Sequence, residues 1–135
     1  MYKRQGPTGA AEIAEYVSGN GVLTNLSLFN NSIGDEGAKA LASALRVNGK
    51  LKTLDLSGNK IRNKGAAAIA DALRDNGVLT DLNLWDTGIG VQGAKAIGEA
   101  LTVNAVLKTL YIGDNIGAEA LRDAVGGREG FSLIM

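Results

Sequence analysis

A hexamer of alternating apolar residues returns four times in this chain, beginning at Leu23, Leu51, Leu79 and Leu107, so that successive copies start 28 residues apart. The copies read Leu23-Thr-Asn-Leu-Ser-Leu28, Leu51-Lys-Thr-Leu-Asp-Leu56, Leu79-Thr-Asp-Leu-Asn-Leu84 and Leu107-Lys-Thr-Leu-Tyr-Ile112. A fixed repeat of this length constrains the fold severely: a unit so short cannot bury its own apolar face, and must stack on its neighbours as a solenoid. Within each unit the apolar period changes. The hexamer alternates with period two, as a strand does. The segment after it has apolar residues at i, i+3, i+4 and i+7, as in Ala38, Leu41, Ala42, Leu45 and Ala66, Ile69, Ala70, Leu73, which line one face of a helix. A Gly-Ala pair (Gly37-Ala38, Gly65-Ala66, Gly93-Ala94, Gly117-Ala118) is expected to open each helix. Asn48-Gly49 and Asn76-Gly77 are expected to end two of them, being residues that tolerate a left-handed backbone.

The repeat divides the chain into an irregular leader 1–8 and a single domain 9–135. That domain holds a partial unit 9–22, full units 23–50, 51–78 and 79–106, a shortened unit 107–130 and a terminal strand 131–135. Tyr16 and Arg122 stand where inner units carry alanine, which fits helices at the ends of a stack.

The full pattern, Leu51-x-x-Leu54-x-Leu56-x-x-Asn59-x-Ile61-x-x-x-Gly65-Ala66, runs nearly intact through three units and shortened through the fourth. It resembles the leucine-rich repeat family, in the ribonuclease-inhibitor-like class with this same 28-residue period. The resemblance implies an α/β leucine-rich-repeat solenoid, a curved horseshoe segment with a concave parallel β-sheet and convex α-helices. Physical spacing requires the same bend, since strands sit about 4.8 Å apart whereas packed helices need about 8–10 Å. The resemblance also assigns Asn31, Asn59 and Asn115 to a structural row that bonds neighbouring loop backbones. Thr87 interrupts that row and is expected to loosen the third turn.

Composition removes most chemistry. The chain has 135 residues with no Cys and no His, so disulfides, thiolate catalysis, Cys/His zinc sites and imidazole-based acids and bases are all excluded. Fourteen Lys+Arg balance fourteen Asp+Glu, so net charge draws the chain neither to nucleic acid nor to an anionic membrane. No apolar run has the length of a membrane span, and Met1 to Ala10 lacks the apolar stretch of a signal peptide. A cytoplasmic protein with neither cofactor nor metal is expected. In that setting the glycosylation patterns Asn25-Leu-Ser27 and Asn30-Asn31-Ser32 have no consequence.

Two motifs invite stronger readings. Gly88-Ile-Gly90-Val-Gln-Gly93 matches a dinucleotide-binding glycine loop between strand and helix. The equivalent stretches Ser32-Ile-Gly-Asp-Glu-Gly37 and Lys60-Ile-Arg-Asn-Lys-Gly65 retain only the last glycine throughout, so the repeat accounts for the match. Asp86 and Asp114 occupy the same place in adjacent units, about 5 Å apart on a sheet, near the separation of a retaining glycosidase pair. An open face without a pocket makes them a polar row, and no enzyme is expected.

The concave face is more informative. With positions four and six of each hexamer turned inward, positions three, five and seven turn outward. Position seven reads Phe29, Ser57, Trp85, Gly113; position five reads Ser27, Asp55, Asn83, Tyr111; position three reads Asn25, Thr53, Asp81, Thr109. Phe29, Trp85 and Tyr111, three of the six aromatics, are therefore expected to project from the sheet as two apolar knobs separated by Ser57, together presenting about 500 Å²; the alternative is that some rings lie flat and cover the sheet, or pack on a flanking segment. Asp55, Asp81, Asn83, Asp86 and Asp114 surround them, the arrangement of a binding hot spot with a polar rim.

Charge is segregated along the chain. Phe29 to Gly65 carries seven basic and three acidic residues, and Ala66 onward five basic and nine acidic. Lys60, Arg62 and Lys64 gather on one rim loop suited to steering an acidic partner. The expected function is a non-catalytic protein–protein interaction module that binds a protein partner on its concave face. The alternative is a structural spacer, or part of a larger leucine-rich-repeat sensor or regulator. The resemblance adds only the range of roles that similar repeats serve, among them nuclease inhibition, innate-immune sensing, GTPase activation and actin-end binding. A monomer is expected, with head-to-tail self-association the alternative that the charge asymmetry raises.

Overall fold

The computed structural model of the chain describes residues 13–17, 21–30, 32–126 and 129–135. The leader 1–8 and Asn31 of the expected asparagine row lie outside the described residues. Helical residues 13–17 (α1) are followed by β1 (Asn25–Ser27), α2 (Gly34–Val47), β2 (Thr53–Asp55), α3 (Arg62–Asp75), β3 (Asp81–Asn83), α4 (Val91–Leu101), β4 (Thr109–Tyr111), α5 (Ala118–Val125) and β5 (Ser132–Ile134). The strands form one parallel sheet in the order β1-β2-β3-β4-β5. Its register is the repeat itself: Leu26 pairs with Leu54, Leu54 with Leu82, Leu82 with Leu110 and Leu110 with Leu133.

Leu54, Leu56, Leu82, Leu84, Leu110 and Ile112 are each exposed by 1% or less, and they share one core with Ile69, Leu73, Ile97 and Leu101 from the helices. The solenoid is thus a two-layer α/β stack whose sheet forms one face and whose helices form the other. Close approach between helices depends on glycine. A Cβ on Gly65 would stand 2.5 Å from Ile61 Cγ2 and 2.9 Å from Ala38 Cβ, and one on Gly93 would stand 3.0 Å from Ala66 Cβ. The glycine of the Gly-Ala pair therefore sets the spacing between units and does not open the helix. Helices α2, α3 and α4 begin before it, at Gly34, Arg62 and Val91, and only α5 begins at the pair itself, at Ala118.

The expectation that helices end on left-handed asparagine also needs correction. Asn48 (φ −85°, ψ 122°) and Asn76 (φ −93°, ψ 118°) are extended, and Gly49 and Gly77 are not among the residues of positive φ. Hydrogen bonding explains the asparagines instead. The Oδ1 of Asn76 accepts from the amides of Val78 (2.9 Å) and Leu79 (2.8 Å), folding the turn, while its Nδ2 donates to Leu45 O of the preceding unit at 2.8 Å. Asn48 does the same toward Val17 O (2.7 Å) and Asn104 toward Leu73 O (2.7 Å). All three are buried, where an unmet amide would cost about 1–3 kcal/mol.

A parallel row runs along the loops after the strands. Asn59 Nδ2 donates to Leu28 O at 2.8 Å and Leu56 O at 2.9 Å, and its Oδ1 accepts from Ile33 N at 3.1 Å. Asn115 repeats this with Leu84 O (2.8 Å), Ile112 O (2.9 Å) and Ile89 N (2.8 Å). Thr87 is too short to reach the preceding unit, although its hydroxyl also meets Asn115 Oδ1 of the next unit at 3.3 Å. Its hydroxyl donates within its own turn to Leu84 O at 2.8 Å, and Ile61 N, without a cross-unit acceptor, turns to Asn59 O at 2.9 Å.

Candidate functional site

The glycine-rich loop is occupied by the fold. Asn63 Oδ1, from the preceding unit, accepts from the amides of Gly90 (2.8 Å) and Gly93 (2.9 Å), as Asp35 Oδ1 accepts from Gly65 N (3.0 Å) one unit earlier. These are the amides a phosphate would seek at a helix N-terminus. Each of these helices is capped by a side chain from its neighbour.

A hollow of about 520 Å³ lies between α4 and α5 on the helical side. Glu129 is the one titratable side chain among its described lining. A depression of about 180 Å³ lies on the sheet, lined by Thr53, Leu54, Asp55, Asp81, Leu82, Asn83 and Tyr111. It brings together four of the residues marked out from the alternation, namely Asp55, Asp81, Asn83 and Tyr111, on three adjacent strands.

Trp85 does not stand out from the sheet as alternation alone predicts. Its indole lies across Gly113 of the next unit, where a Cβ would overlap Cη2 and Cζ3 of the ring. Its Nε1 donates to Asp114 Oδ2 at 3.0 Å. The outer end of the ring thus rests against the Gly113 backbone, and the residue is half-buried. Phe29 leans the same way, its Cε1 placed 3.4 Å from where a Cβ on Gly58 would be, but remains 60% exposed. One strand, β2, separates the two rings, with Ser57, just past its end, buried between them.

Short local bonds orient the polar residues. Asp55 Oδ1 accepts from Ser57 N (2.9 Å) and Ser57 Oγ (2.6 Å), and Asn83 Oδ1 from Trp85 N (3.0 Å). Asp81 Oδ2 accepts from Thr80 Oγ1 (3.3 Å). Asp86 and Asp114 are exposed turn residues with φ of 53° and 56°. As Asp114 holds the indole, the two are not an equivalent carboxylate pair. Among the described residues no group of acidic side chains has the arrangement of a metal site.

Lys60, Arg62 and Lys64 are exposed beside the start of α3, and none forms an ion pair with a described residue. The first turn of that helix holds no acid of its own, and the anion at its positive end is Asp35 of the preceding unit. Ile134, which sequence reading left in a terminal strand, lies in register with Tyr111 and extends the outward row by one apolar side chain. The signal for it was faint, because the fourth unit is shorter and the strand after it falls out of the 28-residue register.

Among the described residues, no helix is long and apolar enough to cross a membrane. No curated protein sequence matches the chain significantly. Many solved structures share its fold. One is described as the leiomodin-1 actin-binding site 2, with a TM-score of 0.82 and 24% identity over 91% of this chain and 76% of that one. Another is the tropomodulin C-terminal domain of Caenorhabditis elegans, with a TM-score of 0.80 and 11% identity over 93% of this chain and 81% of that one. The model of the family described as Leucine Rich repeat matches residues 18–42, 47–70 and 74–98, together more than half of the sequence. With the parallel register and the repeated helix and strand boundaries, this match establishes that the chain belongs to the leucine-rich repeat family.

Proposed function

We propose that this chain is a non-catalytic protein–protein interaction module whose concave sheet face binds a protein partner. The observation that carries the reading is the seating of Trp85. A tryptophan that the core does not need is laid on a glycine of the next unit and held by a carboxylate, leaving the half-exposed ring toward the concave side. Aromatic side chains fixed before binding lose little conformational freedom on association, and they dominate interface energetics. Tyr111, Phe29, Asp55, Asp81, Asn83, Asp86 and Asp114 share that surface, and Lys60, Arg62 and Lys64 add an electrostatic rim that steers the approach. In this reading the module is monomeric and cytoplasmic. The likeness to a fold described in leiomodin-1 as an actin-binding site is in keeping with a protein partner.

The test is capture of partners by wild type and by a Trp85→Ala/Tyr111→Ala variant, once circular dichroism shows both equally folded. A protein retained by wild type and lost by the variant supports the reading. Equal retention, or none, transfers it to a spacer or a part of a larger sensor.

A further inference from the structure

The concave face has a consistent charge. At positions three, five, seven and eight of the four units, from Asn25 to Asp114, stand four aspartates and no Lys or Arg. The ion pairs among the described residues, Lys39–Glu36, Arg46–Asp75 and Arg122–Glu119, are all on helices. The aspartates are also oriented. Asp55, Asp81 and Asp114 each engage one named oxygen with a neighbour, and the second oxygen has no bond to a described residue. Carboxylates held by one oxygen, with the other left toward an open sheet, match a partner that donates charged N–H groups. The aromatic rings fit the same ligand. The indole N–H is taken by Asp114, so the half-exposed ring offers π density beside a carboxylate, and Tyr111 forms a wall of the depression that Asp55 and Asp81 also line.

We propose that the partner presents an extended arginine- or lysine-bearing segment to this face. One cation lies on the half-exposed Trp85 indole beside Asp114 and Asp86. A second enters the depression of about 180 Å³ at Tyr111, between Asp55 and Asp81. This rests on the reading of the concave face as the binding surface, and adds the chemistry of what it binds. Lys52 and Lys108, exposed just before β2 and β4, bound the acidic field on its strand-entering side. Lys60, Arg62 and Lys64, exposed by the start of α3, bound it on the loop side, so the partner's cations are confined to the centre of the face and its acidic groups meet the rim.

Trp85 is the chain's sole tryptophan, so intrinsic emission reports directly on the proposed contact. The probe is an acetylated, amidated Gly-Arg-Gly-Arg-Gly peptide, whose alternation puts both guanidinium groups on one side when extended. Its controls are the same peptide with citrulline for arginine and the same peptide with glutamate. The expected result is a saturable change in emission with the arginine peptide, an apparent Kd at least about tenfold weaker for citrulline, and no response to glutamate. Binding should weaken severalfold between about 0.05 and about 0.5 M salt. Asp114→Asn keeps an acceptor for the indole, and Asp86→Asn suits the left-handed turn. The double variant should therefore fold as wild type and bind the arginine peptide at least about fivefold more weakly. No saturable response to arginine, equal binding of citrulline, or preference for glutamate would each overturn the inference. A partner captured through Trp85 and Tyr111 despite such a result would leave the concave-face reading intact and show that it recognises other chemistry.

Discussion

Gly113 and Trp85 act as one device. The ring lies where the glycine side chain would be, so Gly113→Ala must lift the indole from its seat and weaken its bond to Asp114. The expected outcome is a red-shifted emission of the sole tryptophan, with a loss of stability of about 1–3 kcal/mol, read by fluorescence and by chemical denaturation of the same sample. Asn76→Ala tests a different kind of residue. It removes two acceptor contacts within the turn and a donor contact to the preceding unit, and should lower stability by about 1–3 kcal/mol without moving the emission maximum. Alternation made the outward row legible, since it depends only on period two. The tilt of Trp85 was not legible, because it depends on a vacancy 28 residues later and on an acid beside that vacancy. Asn76 misled for a similar reason. Asn-Gly is a strong local turn signal, whereas the contact that fixes this asparagine lies 31 residues back, at Leu45.

Strand positions and the inward faces of the helices followed from periodicity, and their register followed from the repeat length. Helix starts did not, because the caps come from the neighbouring unit: Asp35 caps at Gly65, and Asn63 at Gly90 and Gly93. No pattern within one unit contains its own cap. The loop after β3 shows what an interrupted row costs. Thr87→Asn should restore donation to Leu56 O and an acceptor for Ile61 N, as Asn59 and Asn115 provide in their own turns. An increase of about 1 kcal/mol in unfolding free energy is expected, measured as a higher denaturation midpoint. At the start of α5 the opposite holds. A Cβ on Gly117 would overlap the Gly90 carbonyl and press on Ala94. Since that contact is with backbone, Gly117→Ala should displace α5 and lower the melting temperature by several degrees.

The stack is nearly one-dimensional, each unit touching the next through its strand, its helix and its side-chain ladders. Stability in such arrays is a sum of units and boundaries, so inner units, bounded on both sides, should open last. Leu54, Leu82 and Leu110 are fully buried, whereas Leu26 and Leu133 in the outer strands are only partly so. Amide exchange should accordingly be slowest in β2 to β4 and fastest in α1 and β5, a gradient that mass spectrometry of exchanged peptides would reveal. Equal protection throughout would mean that this chain opens as a single block.

Because the indole of one unit rests on the backbone of the next, the array cannot be lengthened with equal ease at every boundary. A tandem duplication of residues 79–106 preserves the period, the core and the asparagine ladder at the helix ends, yet it sets a second tryptophan where Gly113 now lies beneath the first. The outer copy would keep its seat and the inner one would lose it. Recombination between units is therefore constrained here by which residue each side chain meets one repeat further on, the vacancy at Gly113 among them.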